Sequence, residues 1–82
     1  MSMKVGQVVK SAAGHDKGEL LVIAGFENEK VLVCDGKHRK LNKPKCKNPR
    51  HLEETEMFLQ KDSMATDKKL RKTLNKIANP GG

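Results

Sequence analysis

The chain reads as a small, mainly β domain with one α-helix at its C-terminus. Three observations carry this reading. Apolar residues in the first half come in short, β-branched runs bounded by glycines and polar turns. Leu70, Leu74, Ile77 and Ala78 recur at i, i+4, i+7 and i+8, one stripe of a helix. At 82 residues there is room for one domain with a shallow core.

Val5 to Ser11 is rich in β-branched residues and predicts a first strand. Ala12 to Gly18 predicts a loop, in which Gly14 and Gly18 can take positive φ. Glu19 to Gly25 is a continuous apolar run, too short for a helix and suited to a strand buried on both faces. Glu27-Asn28-Glu29 predicts a polar turn, and Lys30 to Asp35 a strand that completes a hairpin with the previous one. Asp35-Gly36 is a turn dipeptide. His38 to Leu41 then predicts a short edge strand. Asn42 to Pro49 predicts an extended basic loop or a disordered spacer, because Pro44 and Pro49 cannot donate to a ladder. His51-Leu52 can return the chain to the sheet as a fifth strand, and Met57-Phe58-Leu59 is expected to cover an open end. Thr66 is a good N-cap for the helix, Asp67 suits its first turn, and Pro80-Gly81-Gly82 stops it.

The formal net charge is +7, and it is unevenly placed. Residues 1–36 are nearly neutral. Residues 37–51 hold seven cations (Lys37, Arg39, Lys40, Lys43, Lys45, Lys47 and Arg50) and no acid. Residues 52–67 hold one lysine against five acids, and residues 68–82 hold five cations. Dense charge of one sign repels itself and calls for a polyanion whose counterions the cations displace. The competing account is a surface that only confers solubility. No apolar run is long enough to span a membrane, and Met1 to Val9 lacks the apolar region of a secretory signal. Two cysteines without a CxxC fit a reducing, cytoplasmic setting.

Val5-Gly6-Gln7-Val8-Val9-Lys10-Ser11, followed by Asp16-Lys17-Gly18-Glu19-Leu20-Leu21-Val22-Ile23, resembles a KOW motif. Gly18 and Lys17 stand where that motif has its glycine and basic neighbour. Extended through Val31 to Leu41, the chain is similar to small bacterial KOW-domain RNA-binding proteins, and through them to KOW-containing large-subunit ribosomal proteins. The resemblance implies an SH3-like β-barrel of about five short strands over residues 1–59, a linker and basic helix over 60–82, and RNA binding at the ribosome. The residues expected to meet RNA are Lys37, Arg39, Lys40, Lys43, Lys45, Lys47 and Arg50, then Lys10, Lys17 and Gly18, then Lys68, Lys69, Arg71 and Lys72. The basic loop carries little apolar surface, so alanine at 43, 45 and 47 is expected to spare the fold. Phe26 and Phe58 are the only aromatics and are expected in the core. That disfavours base stacking and points to phosphate and 2′-OH contact with structured RNA. A monomer is expected.

Other chemistries fare worse. Cys34, His38, Cys46 and His51 form a C-x3-H-x7-C-x4-H set, but without the paired spacing of a zinc site. No metal or cofactor is expected; Cys34 reads as a buried small hydrophobe and Cys46 as an exposed thiol. Gly14-His15-Asp16-Lys17-Gly18 lacks the spacing and hydroxyl of a P-loop, and no nucleophile stands beside His15 and Asp16, so no enzyme is predicted. The alternatives to an RNA-binding module are a transcription-elongation accessory and a protein-interaction adaptor.

Overall fold

The computed structural model describes residues 3–80; the Gly81-Gly82 end of the expected helix stop lies outside the described residues. Five strands form one antiparallel sheet: β1 (Gln7–Ser11), β2 (Leu20–Glu27), β3 (Lys30–Cys34), β4 (Lys45–Lys47) and β5 (Leu52–Phe58). Helix α1 (Asp67–Ala78) follows. A mainly β domain with a C-terminal helix is what forms.

The strand order is β4-β3-β2-β1-β5, so β4 and β5 are the two edges, and no hydrogen-bonded ladder joins them. The barrel implied by the resemblance is therefore an open, coiled sheet and not a closed cylinder. Chain length still forces the coil. In a flat sheet β4 and β5 would stand four strand spacings apart, about 19 Å. Lys47 and Leu52 are joined by a link that, fully extended, spans at most about 17 Å. Part of that link is a 3-10 turn, Pro49–His51, which rises only about 2 Å per residue. Register shifts between Gln7 and Val9 on β1, and between Ile23 and Gly25 on β2, supply the local bends.

The apolar run of β2 is continuous because both sheet faces are covered. Val9, Leu21, Ile23, Val31, Val33 and Leu52 fill the concave side. Val8, Val22 and Cys34 point the other way and meet Leu70 and Leu74 of α1. The helix thus covers a face of the sheet. Burying Leu70 and Leu74 contributes about 2 kcal/mol each. Residues on both sides of position 59 share this second cluster, so sheet and helix form one body.

Two strand assignments need correction. His38–Leu41 is not a strand. Asp35 Oδ1 accepts from the backbone N–H groups of Lys37 and Arg39 at 2.9 and 2.8 Å, and the amides of Asp35 and Gly36 bond the Arg39 carbonyl. Those groups are spent inside an ordered loop. The fourth strand forms instead at Lys45–Lys47, in the segment expected to be extended loop or spacer. It is so short that Pro44 and Pro49 fall outside it. At the other edge β5 runs on to Phe58, but Met57 and Phe58 stay about half exposed and only Leu59 joins the core. Phe26 is likewise 49% exposed, so neither aromatic is a core residue.

Thr66 caps α1 by accepting from the Lys69 amide at 3.1 Å. Asp67 Oδ1 accepts from the Leu41 amide at 2.7 Å and ties the basic loop to the helix. Gly36 permits this approach: it is buried, its φ is +79°, and a Cβ there would collide with the Asp67 carbonyl and the Arg71 amide. Gly18 also has positive φ, but open space surrounds it. Gly36→Ala should therefore cost at least about 3 kcal/mol, combining overpacking with left-handed strain, against about 1 kcal/mol for Gly18→Ala. Urea unfolding of the two variants checks this order; equal losses would refute the close-approach account.

Candidate nucleic-acid interface

Lys47 is the residue that departs furthest from expectation. It pairs with Val31 across the β3–β4 ladder, which directs it to the concave side, and it is buried. Its Nζ donates to Ser11 Oγ at 2.6 Å, to the Ala13 carbonyl at 2.9 Å and to Asp16 Oδ1 at 2.7 Å, which uses all three of its protons. Ser11 Oγ also lies 2.8 Å from Asp16 Oδ1 and donates to it. Lys47 is thus a structural lysine and leaves the RNA-contacting set. Its replacement by alanine would strip the largely covered Asp16 carboxylate of its cation and damage the fold, contrary to expectation.

The remaining cations divide by position. Lys37, Lys40, Lys43 and Arg50 are exposed, and Arg39 and Lys45 are half-buried. Lys10, Lys17, Lys68, Lys69, Arg71 and Lys72 are exposed. Among the described residues only two ion pairs form, Lys47–Asp16 and Lys69–Asp62. The second, at 3.2 Å, is fully on the surface and adds little. The other cations make no ion pair among the described residues.

Four hollows collect many of them. One of about 260 Å³ lies between the β1–β2 loop, the β3–β4 loop and α1, and brings together Gly18, Lys37, Arg71 and Asn75. A second, about 320 Å³, shares Glu19 and Asp35 with the first and continues to His38 and Arg39. A third, about 380 Å³, takes up His38 and Arg39 and adds Lys40, Lys43 and Lys45. A fourth, about 530 Å³, runs from Asn75 along Lys72, Lys76 and Asn79. Their shared lining makes one continuous surface from the basic loop to the helix. Lys10, on β1 opposite Glu53, and Arg50, on the 3-10 turn, line none of these hollows. Lys17, the chain neighbour of Gly18, and Lys68 and Lys69 line none of them either. Lys76, Asn75 and His38 were not among the expected contacts; Lys76 stands four residues after Lys72, so helical spacing could have found it. Neither phenylalanine lies here: Phe26 lines a separate hollow with Met3, Lys30 and Pro49.

Cys34 is buried and Cys46 exposed, as the sequence suggests. Burial, with the charges of Asp67 and Asp35, pushes the Cys34 thiol up to about 11, so it stays protonated. The fold does not gather the two cysteines with His38 and His51. Among the described residues, the three donors that come within 4.8 Å of one another are those of Glu19, Asp35 and His38. No described helix is long and apolar enough to cross a membrane. No family model matches the chain, and no curated protein does.

Burial by itself would raise the Asp16 carboxyl, but the hydrogen bonds from Lys47 and Ser11 and the charges of Lys47 and Lys45 outweigh it. They hold its pKa at about 2, against 3.8 ordinarily. A depressed carboxyl stabilises the fold above its unfolded pKa and loses that contribution as pH falls through the folded value. The protein should lose about 2 kcal/mol between pH 5 and pH 2 from this group. Lys47→Met should cost about 2–3 kcal/mol at pH 7, because the largely covered Asp16 carboxylate then loses its cation and keeps only the Ser11 hydroxyl. Urea midpoints across pH test both; a Lys47→Met midpoint equal to wild type would remove the pair from its structural role.

Proposed function

We propose that the protein is a cytoplasmic, non-enzymatic RNA-binding module that docks on structured, ribosomal RNA through phosphate contacts. The observation that carries this reading is the continuous surface joining the segment from Lys37 to Lys45 to the helix positions Arg71, Lys72 and Lys76, on which eight cations outnumber the acids Asp16, Glu19 and Asp35 and form no ion pair with them. Single-sign charge gathered on one surface gains most from a polyanion that releases its counterions on binding. The backbone at Gly18 opens onto the same groove with no Cβ in the way, so a phosphate can approach the β1–β2 loop closely. The resemblance to KOW proteins supports RNA as the polyanion and the ribosome as the setting. The mechanism is electrostatic docking and scaffolding, in which no bond is made or broken.

Affinity for a ribosomal RNA helix should fall about a thousandfold between 50 and 200 mM salt, for roughly six phosphates neutralised. Lys40→Ala/Lys43→Ala should weaken binding at every salt concentration and leave the unfolding midpoint unchanged. Arg50→Ala, outside this surface, should leave both the affinity and the unfolding midpoint unchanged. Filter binding with parallel thermal melts reads all three, and a flat salt response would overturn the electrostatic reading.

A further inference from the structure

An open sheet has two edges, and the protein treats them differently. The β4 edge is defended: it is short, carries Lys45 and Lys47, and lies between Pro44 and Pro49. Those are the devices that stop one sheet edge from adding another strand. The β5 edge lacks the lysines and prolines; its guards are glutamates and a bulge between Glu54 and Phe58, where its register against β1 shifts. It runs from Leu52 to Phe58 without lysine, proline or glycine, and it pairs only with β1. Its inner side is firmly held, since Thr55 Oγ1 donates to the Val8 carbonyl at 2.6 Å and Gln7 Nε2 donates to the Thr55 carbonyl at 3.0 Å.

The side chains on β5 say what could add to it. Glu53, Glu54 and Glu56 are exposed, in the most acidic stretch of a chain that is otherwise strongly basic. Beside them Met57 and Phe58 are 48% and 54% exposed. Nucleic acid is repelled from such an edge, and a cationic polypeptide is attracted. We propose that the free edge of β5 is a docking strand for an extended, lysine- or arginine-rich segment of a partner protein. The partner adds as a further strand: backbone hydrogen bonds supply affinity, the glutamates select for cations, and Met57 and Phe58 receive alternate apolar side chains. This site is separate from the cationic surface, so the protein can hold RNA on one side and a basic protein segment on the other.

The test is an amide-resolved NMR titration of the full chain with an alternating Lys-Val octapeptide. A second octapeptide, N-methylated at alternate residues, keeps the charge but cannot form a ladder. The expected result is shifts at amides 53–58 with the first peptide and none with the second. Glu53→Gln/Glu56→Gln should weaken the first peptide up to about tenfold and leave RNA affinity unchanged. Equal binding of the N-methylated peptide would overturn the proposal, as would shifts confined to other elements. Dimerisation of the chain alone through residues 53–58, read by sedimentation, would assign the edge to a second copy and overturn it too.

Discussion

The buried pair of Lys47 and Asp16 is the constraint on which the rest of the architecture depends. The sheet has no ladder between its first and last strands in space, so hydrogen bonding along the strands does not fix how tightly it coils. Lys47 supplies that missing closure. It leaves β4, crosses the concave side, and bonds three oxygens belonging to β1 and the loop after it. A buried charge without its partner is costly, so a sheet that relaxed toward flatness would expose both charges or separate them. The concave core can stay small because this polar clamp holds its open side. The cost shows in Asp16 Oδ2, which is buried with no partner of its own.

With the concave side held, the convex side is available for the helix. Val8, Val22 and Cys34 offer a narrow apolar strip, and Leu70 and Leu74 cover it. The cations of α1 thereby face water beside the β3–β4 loop, and two remote basic stretches of the sequence become one surface. The intervening acids belong mostly to β5, on the far edge of the sheet. Folding sorts the charges that the chain presents in alternating blocks.

Much of this is legible in the residues alone. Apolar runs marked β1, β2 and β3, and the helical stripe with its Thr66 cap marked α1 to within a residue. What was not legible follows from competition between local and distant bonds. His38 to Leu41 has the composition of an edge strand, but the Asp35 carboxylate takes the amides a ladder would use. Lys45–Lys47 reads as loop because prolines flank it, and only pairing with β3 makes it a strand. Lys47 looks like its neighbours in sequence; nothing local separates a lysine aimed at Asp16 from one aimed at solvent. For the site, the basic block and its partnership with Arg71 and Lys72 rest on charge, which composition shows. The omission of Lys76, and the exposure of Phe26 and Phe58, turn on which surface each element leaves open.

The loop between β3 and β4, which opens the basic block, is gripped by a carboxylate near each end. Asp35 holds the amides of Lys37 and Arg39, and Asp67 holds that of Leu41. Four like charges, Lys37, Arg39, Lys40 and Lys43, would drive a slack loop apart, and these two anchors hold it in one shape before any ligand arrives. The entropy of ordering is therefore settled during folding and not on encounter. A polyanion that meets this surface must do the adapting, so its own stiffness becomes part of what the protein selects.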